Sequence, residues 1–131
     1  MQLRIDAQTQ KLGLQRLTDA AADAADLAAE FRAVAAALRA FEGEAAVARF
    51  GAAVEAYGRL VQAMVDSTAK AGAAPPAGFQ ECLRALTEGM RRAAQAVAVG
   101  DALGGAKLAD REVAGKLEAL AGMVRQMTGQ A

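Results

Sequence analysis

The segment FEGEAAVARF, residues 41–50, separates two long stretches of helical periodicity and decides how the first half of the chain folds. Before it, apolar residues recur every three or four positions from Leu14 to Leu38, which is the spacing of a heptad seam. After it the same spacing continues, and the predicted seam consists of Val47, Phe50, Val54, Tyr57, Val61, Met64 and Thr68. Because only the letters FEG lie between the two predicted helices, we expect an antiparallel hairpin over residues 6–72.

The second half of the chain predicts another, shorter hairpin. The segment AGAAPPAG, residues 71–78, ends the second helix and supplies a Pro/Gly linker over residues 73–78. A third helix is predicted from Phe79 to about Val99, the segment GDALGG at residues 100–105 predicts a break, and a fourth helix is expected from about Lys107 to Met127. The shorter hairpin therefore covers residues 79–128.

Together these patterns predict an all-α fold, an antiparallel four-helix bundle made of two helical hairpins, in a single domain of residues 1–131. The second hairpin would pack on the first, or it would swing away and let the first pair with another chain. The sequence leaves both arrangements open.

Local signals in the first hairpin have structural interpretations. Asp6 is the expected N-cap of the first helix, and Gly13 is expected to fray or bend its first turns. Gly43 suits a short turn because glycine tolerates a positive φ. The aromatic ring of Phe41 beside it is expected to pack across the hairpin.

Composition excludes several classes of function. The chain has 15 basic and 15 acidic residues, without the basic excess that is typical of nucleic-acid binding, so we expect no nucleic-acid partner. It has no histidine and a single cysteine, Cys82, which excludes His-dependent nucleophiles, histidine zinc sites and cysteine metal clusters. We therefore expect no enzymatic activity, no metal and no cofactor.

The expected location follows from the same kind of exclusion. The opening MQLRIDAQTQK has no apolar region of a secretory signal peptide, and no apolar run approaches the roughly 18 residues that a membrane-spanning helix needs. We expect no stable membrane insertion and a cytoplasmic location. Secretion by a route that reads no cleaved signal peptide stays open.

Charged and polar candidates receive structural interpretations. The carboxylates of Asp19, Asp23, Asp26 and Glu30 step along one helix face without converging, and we expect them to be solvated. Glu42 and Glu44 precede or begin the second helix, where its dipole favours negative charge. Tyr57 falls on the predicted seam, and Cys82 is expected to be a small buried side chain.

The turn segment resembles that of the WXG100 (ESAT-6-like) family, small helical hairpins with Trp-x-Gly between two long helices. Phe41 stands where the family has Trp, and Gly43 where it has Gly. Ala45, Ala46 and Phe50 are similar to the small residues and the aromatic that follow. The resemblance covers residues 1–72. Here Phe replaces Trp, two helices are added, and the Tyr-x-x-x-Asp/Glu secretion motif is missing, because the only tyrosine is followed four positions later by Val61.

The resemblance implies a non-enzymatic protein–protein interaction module associated with type VII secretion as substrate or partner. Such a protein would pair through helix faces with itself or with a related small helical protein. The candidate turn-signature or partner-binding residues are Phe31, Phe41, Gly43, Phe50 and Tyr57. The alternative is a cytoplasmic helical adaptor or assembly chaperone, related to secretion or to phage virions. The opening LRIDAQTQKLGLQRL with a later ARF is similar to phage virion-morphogenesis proteins, although the Gly/Pro-rich β region of those proteins is missing.

Overall fold

The computed structural model describes residues 7–129, and every regular element in that range is helical. The elements are α1 (Ala7–Arg39), α2 (Glu44–Ala71), α3 (Phe79–Ala98), α4 (Ala102–Lys107), a π-helical segment (Leu108–Ala114) and α5 (Gly115–Met127). The last three follow one another without a break and are called the C-terminal helix below. The predicted N-cap Asp6 lies outside the described residues.

Helix α1 is the central element. One side of α1 packs along α2, and another packs along the C-terminal helix, which also packs on α3. Helices α2 and α3 meet through side chains, where the Tyr57 hydroxyl lies 3.1 Å from that of Thr87. The turn at residues 40–43 and the turn at residues 99–101 come together at one end, which is called the turn end below. One continuous apolar core connects these helices, and the side chains of Phe31, Leu86 and Leu117 are fully buried in it.

Ion pairs connect α1 to its neighbours on the surface. Arg32 pairs with Glu118, and Arg39 pairs with Asp110 at 3.2 Å, so both join α1 to the C-terminal helix. The hydrogen bond from the Arg32 guanidinium lowers the pKa of the Glu118 carboxyl. Because solvent-exposed pairs contribute at most about 1 kcal/mol each, the stability must come mainly from the apolar core.

Helix α2 buries part of the predicted seam, namely Phe50, Tyr57 and Met64. The predicted position Val47 is wrong as a core position, because it is 49% exposed, and Val54, Val61 and Thr68 are only half-buried, with the two valines packed against the core. The buried positions are Ala46, Phe50, Ala53, Tyr57, Leu60, Met64, Ser67 and Ala71. Both sets have heptad spacing, and close packing against the Ala-rich α1 favours the set that contains more small residues.

The fourth helix begins five residues earlier than the sequence predicted. The side chain of Asp101 caps it by accepting a hydrogen bond from the backbone N–H of Gly104 at 2.9 Å. Gly104 and Gly105 are helical, so the predicted break at residues 100–105 is too long. Gly105 has a packing role, because a Cβ placed there would lie 2.8 Å from a methyl of Val97 on α3.

Gly13 is a point of close helix contact and not a frayed end. It is buried within α1, and a Cβ placed on it would lie 2.5 Å from the backbone nitrogen of Ala71. Glycine therefore lets the beginning of α1 approach the end of α2. The expectation that Gly13 frays or bends the first turns of α1 is wrong, because this glycine lies in a close contact between the two helices.

Candidate functional site

Three helix ends share one backbone motif, and only the first of them carries a bulky side chain. The left-handed residue is Gly72 after α2 (φ 63°) and Gly100 after α3 (φ 81°), but after α1 it is Phe41 (φ 52°). In each case the next backbone N–H donates to a carbonyl five residues earlier. After α1, the N–H of Glu42 donates to the carbonyl of Ala37 at 3.2 Å. This Schellman arrangement favours glycine at the left-handed position.

Phe41 gains little packing in return for its backbone conformation. A left-handed conformation costs a residue with a Cβ roughly 1–2 kcal/mol. The residue is 67% exposed, so the expectation that its ring packs across the hairpin is wrong. Phe41 instead lines a cleft between the two turns, with most of its surface in contact with solvent. A strained and exposed aromatic residue suggests a role outside the fold.

Gly43 is explained by the backbone alone. Its φ of 64° with ψ of −131° lies in a region that residues with a Cβ hardly ever adopt. It immediately precedes α2 and offers no side-chain cap. The glycine of the turn signature is therefore required by the geometry of the turn.

Exposed apolar side chains concentrate at the turn end. Phe41 is joined there by Val47 (49% exposed), Val99 (76%) and Leu103 (58%). Between the two turns lies a cleft of about 200 Å³, lined mostly by apolar groups that include Leu38, Val97 and the ring of Phe41. The four exposed residues are called the turn-end patch below. An exposed apolar patch of this kind is a typical mark of a protein-binding surface.

Charges beside the turn-end patch are mostly negative. Glu42 lines the cleft, and Glu44 begins α2. Asp101 adds a third carboxylate in the second turn. Arg39, the nearest cation on α1, is already paired with Asp110.

The other three predicted site residues lie inside the fold. Phe31 is fully buried, and its ring meets that of Phe50 edge to face, with 6.2 Å between the ring centres. Tyr57 is 7% exposed, and burial raises the pKa of its hydroxyl. These rings hold α1, α2 and α3 together. Of the five predicted residues, the structure brings only Phe41 and Gly43 to a surface that a partner can reach.

The second half of the turn-end patch is missing from the sequence prediction. Val99 follows α3, and Leu103 lies in the first turn of α4. The predicted break over residues 100–105 concealed the helical position of Leu103. The available signal was the tripeptide Val99-Gly100-Asp101, in which a C-terminal glycine is followed at once by an N-cap residue.

Chemically reactive groups do not converge in the described part of the chain. Cys82 is half-buried, burial raises the pKa of its thiol, and its sulfur lies 3.6 Å from the carbonyl oxygen of Lys116. Asp19, Asp23 and Asp26 line open grooves between α1 and α2, and no group of side chains within residues 7–129 has the arrangement of a metal site. Across that same range, no helix combines the length and apolar character needed to cross a membrane.

Comparisons of the chain with protein-family models, with curated protein sequences and with solved structures give no match. The candidate site therefore rests on its own geometry. The turn-end patch is a surface feature that the fold itself does not explain.

Proposed function

We propose that the chain is an antiparallel four-helix bundle of two hairpins that serves as a non-enzymatic protein–protein interaction module, with the turn-end patch as its binding surface. The observation that carries this proposal is Phe41, an exposed aromatic residue in a left-handed conformation that the fold would stabilise better with glycine. The backbone strain at Phe41 would be offset if a partner covers the ring and removes it from water.

The chemistry of the patch indicates what kind of partner fits. Phe41, Val99 and Leu103 offer apolar area, and each buried Å² contributes about 25 cal/mol. The cleft beside Phe41 can accept one apolar side chain of an incoming helix, as in helix-in-groove recognition. The carboxylates of Glu42 and Glu44 favour a partner segment with basic flanks and would speed its association.

The proposed setting of this module is type VII secretion, as a substrate or as a partner of another small helical protein, and the resemblance of its turn to the WXG100 family supports this. Phe41, at the position of the family's tryptophan, is also the most strained residue of the proposed surface. The face of α1 away from α2 packs on the C-terminal helix. A partner would therefore bind at the turn end and not along that face. The proposed place of action is the cytoplasm, or the exterior after export without a cleaved signal peptide.

The test is capture from the native host at low salt with a tagged protein. Wild type is compared with Phe41→Ser and Leu103→Ser, and co-purifying proteins are quantified by mass spectrometry. The matched control is Leu12→Ser, because Leu12 is 46% exposed on α1 at the opposite end. Thermal melting of each variant shows that the fold is retained.

We expect a small helical protein or a component of a secretion machine to fall at least about tenfold in the two turn-end variants and to stay unchanged in Leu12→Ser. Raising the salt concentration should weaken its capture. A partner of another class, lost in the same variants, would favour the adaptor or chaperone role. Equal capture by all four proteins would contradict the proposed surface.

A further inference from the structure

Helix α2 carries a second apolar surface on its outer side. It consists of Val47, Gly51, Val54, Gly58, Val61 and Val65, which step by four and three along the helix. Over about 27 Å, at 1.5 Å per residue, this outer stripe has no charged side chain. Val47 and Val65 are 49% and 54% exposed, the two glycines are exposed as well, and Val54 and Val61 are half-buried against the core.

The two glycines of the outer stripe have no structural reason within the chain. Both are helical, with no positive φ. Nothing in the described part of the chain comes within 4 Å of a Cβ placed on Gly51 or Gly58. Gly13 and Gly105 have close neighbours that explain them, whereas Gly51 and Gly58, like Gly115 and Gly122 of the C-terminal helix, have none. On α2 the two glycines lower the helix propensity and leave open depressions in the outer stripe.

The outer stripe is complementary to the outer stripe of a second copy that runs in the opposite direction. If a second copy of α2 runs antiparallel, with the two-fold axis at the level of Ala56, each glycine of one copy lies opposite a valine of the other. The opposite pairs are Val47 with Val65, Gly51 with Val61, and Val54 with Gly58. A valine that enters a glycine depression allows two helices to approach closely, and a two-fold axis repeats each contact.

Charges on one flank of α2 have the same symmetry, although one of them, Arg59, also lines the groove between α1 and α2 that contains Asp23 and Asp26. Glu44 and Glu55 lie in the first half of α2, and Arg59 and Lys70 lie in the second half. In the antiparallel pair, Glu55 comes near Arg59 of the second copy, and Glu44 near its Lys70. In the described part of the chain none of these four side chains is in an ion pair. Asp66, the remaining charge on this flank, comes opposite the uncharged Ala48.

We propose that the outer stripe is the contact of a homodimer in which two α2 helices pair antiparallel about Ala56. This goes beyond the proposed function, because it assigns a second surface and identifies a second copy of the chain as its occupant. It shares only Val47 with the turn-end patch. In the dimer the two turn-end patches lie at opposite ends of the paired helices, so each remains open to a partner.

The first test changes a glycine of the outer stripe in the full chain. At a concentration where wild type is monomeric, Gly58→Gln is expected to melt at a higher temperature than wild type, because glutamine favours helix and the site is open. Its long side chain should nevertheless block the second copy. The matched control is Gly122→Gln, a helical glycine of α5 that also faces open space.

Sedimentation equilibrium measures the mass of each protein up to about 1 mM, a range that includes weak dimers. For wild type and Gly122→Gln, the mass should rise with concentration from 13.4 kDa towards twice that value. For Gly58→Gln, the dissociation constant should be at least about tenfold higher. A wild type that stays at 13.4 kDa throughout would overturn the proposal, and so would a dimer that Gly58→Gln leaves unchanged.

A charge exchange tests the antiparallel register. Glu55→Arg and Arg59→Glu should each weaken the dimer, because like charges then meet across the contact. The double variant Glu55→Arg/Arg59→Glu should recover it, since the opposite charges face each other again. Single variants that weaken the dimer without recovery in the double variant would overturn this register. The test leaves Phe41, Val99 and Leu103 unchanged, so its failure does not bear on the turn-end patch.

Discussion

At the scale of single residues, the backbone conformation of Phe41 destabilises the fold, whereas its exposed side chain is available to a partner. Its backbone has the conformation that Gly72 and Gly100 adopt at the other two helix ends with the same motif. Phe41→Gly should therefore raise the free energy of unfolding by about 1 kcal/mol. The relief of strain, roughly 1–2 kcal/mol, is partly offset by the greater freedom of glycine in the unfolded chain. Urea denaturation measures the change.

The control for this prediction is Val99→Gly. Val99 is more exposed than Phe41, but its φ is −91°, so glycine relieves no strain there. We expect no gain in stability, or a small loss. If Phe41→Gly instead lowers stability while Val99→Gly has no effect, the ring of Phe41 contributes to folding, and its value as a sign of function disappears.

At the scale of elements, the sequence predicted the presence of the helices better than their orientation. The bounds of α2 are as predicted, because Gly43 and Gly72 end the helical pattern on both sides. Phe50, Tyr57 and Met64 are buried as predicted, but the positions between them were predicted one residue away, since two interleaved sets of apolar residues have the same spacing. Only the partner helix chooses between the sets: Ala46, Ala53 and Leu60 are buried, whereas Val54 and Val61 are half-buried beside the core and Val47 is exposed.

The candidate site was predictable in part for a related physical reason. The turn and its glycine are local features, and Gly43 could be recognised from three letters. The left-handed backbone of Phe41 is one that most aromatic residues avoid, so the sequence did not predict it. The position of Phe41 beside Gly100 and Ala102 depends on how the two turns meet in space, which no spacing along the chain encodes.

Alanine substitutions at two helical glycines, Gly13 and Gly122, should change the stability of the protein in opposite directions. Gly122→Ala should stabilise the protein by up to about 1 kcal/mol, because alanine favours helix and the site is open. Gly13→Ala should destabilise it by about 1–3 kcal/mol despite the same gain, because the new methyl would meet the backbone of Ala71. Thermal melting of both variants tests this. Stabilisation by both would mean that the ends of the two helices are farther apart than described.

At the scale of the whole molecule, α1 is enclosed by α2 on one side and by the C-terminal helix on another. Helix α1 packs on α2 and on the C-terminal helix at once, and Arg32 and Arg39 extend the second contact over the surface. A free hairpin of residues 1–73 would expose the second contact face of α1. Its apolar positions would then have to meet another copy or remain in water.

Cutting the chain in the linker tests this dependence. Residues 1–73 alone should lose helicity or self-associate, since α1 would lack half of its packing, and residues 74–131 should be mostly unfolded. Mixed in equal amounts, the two pieces should form one complex of about the mass of the intact chain, 13.4 kDa, with its circular dichroism spectrum. The controls are each piece alone and the intact chain. A first piece that is monomeric and melts like the intact protein would show that the hairpin is complete by itself. Helix α3 and the C-terminal helix would then not be needed to keep α1 and α2 folded.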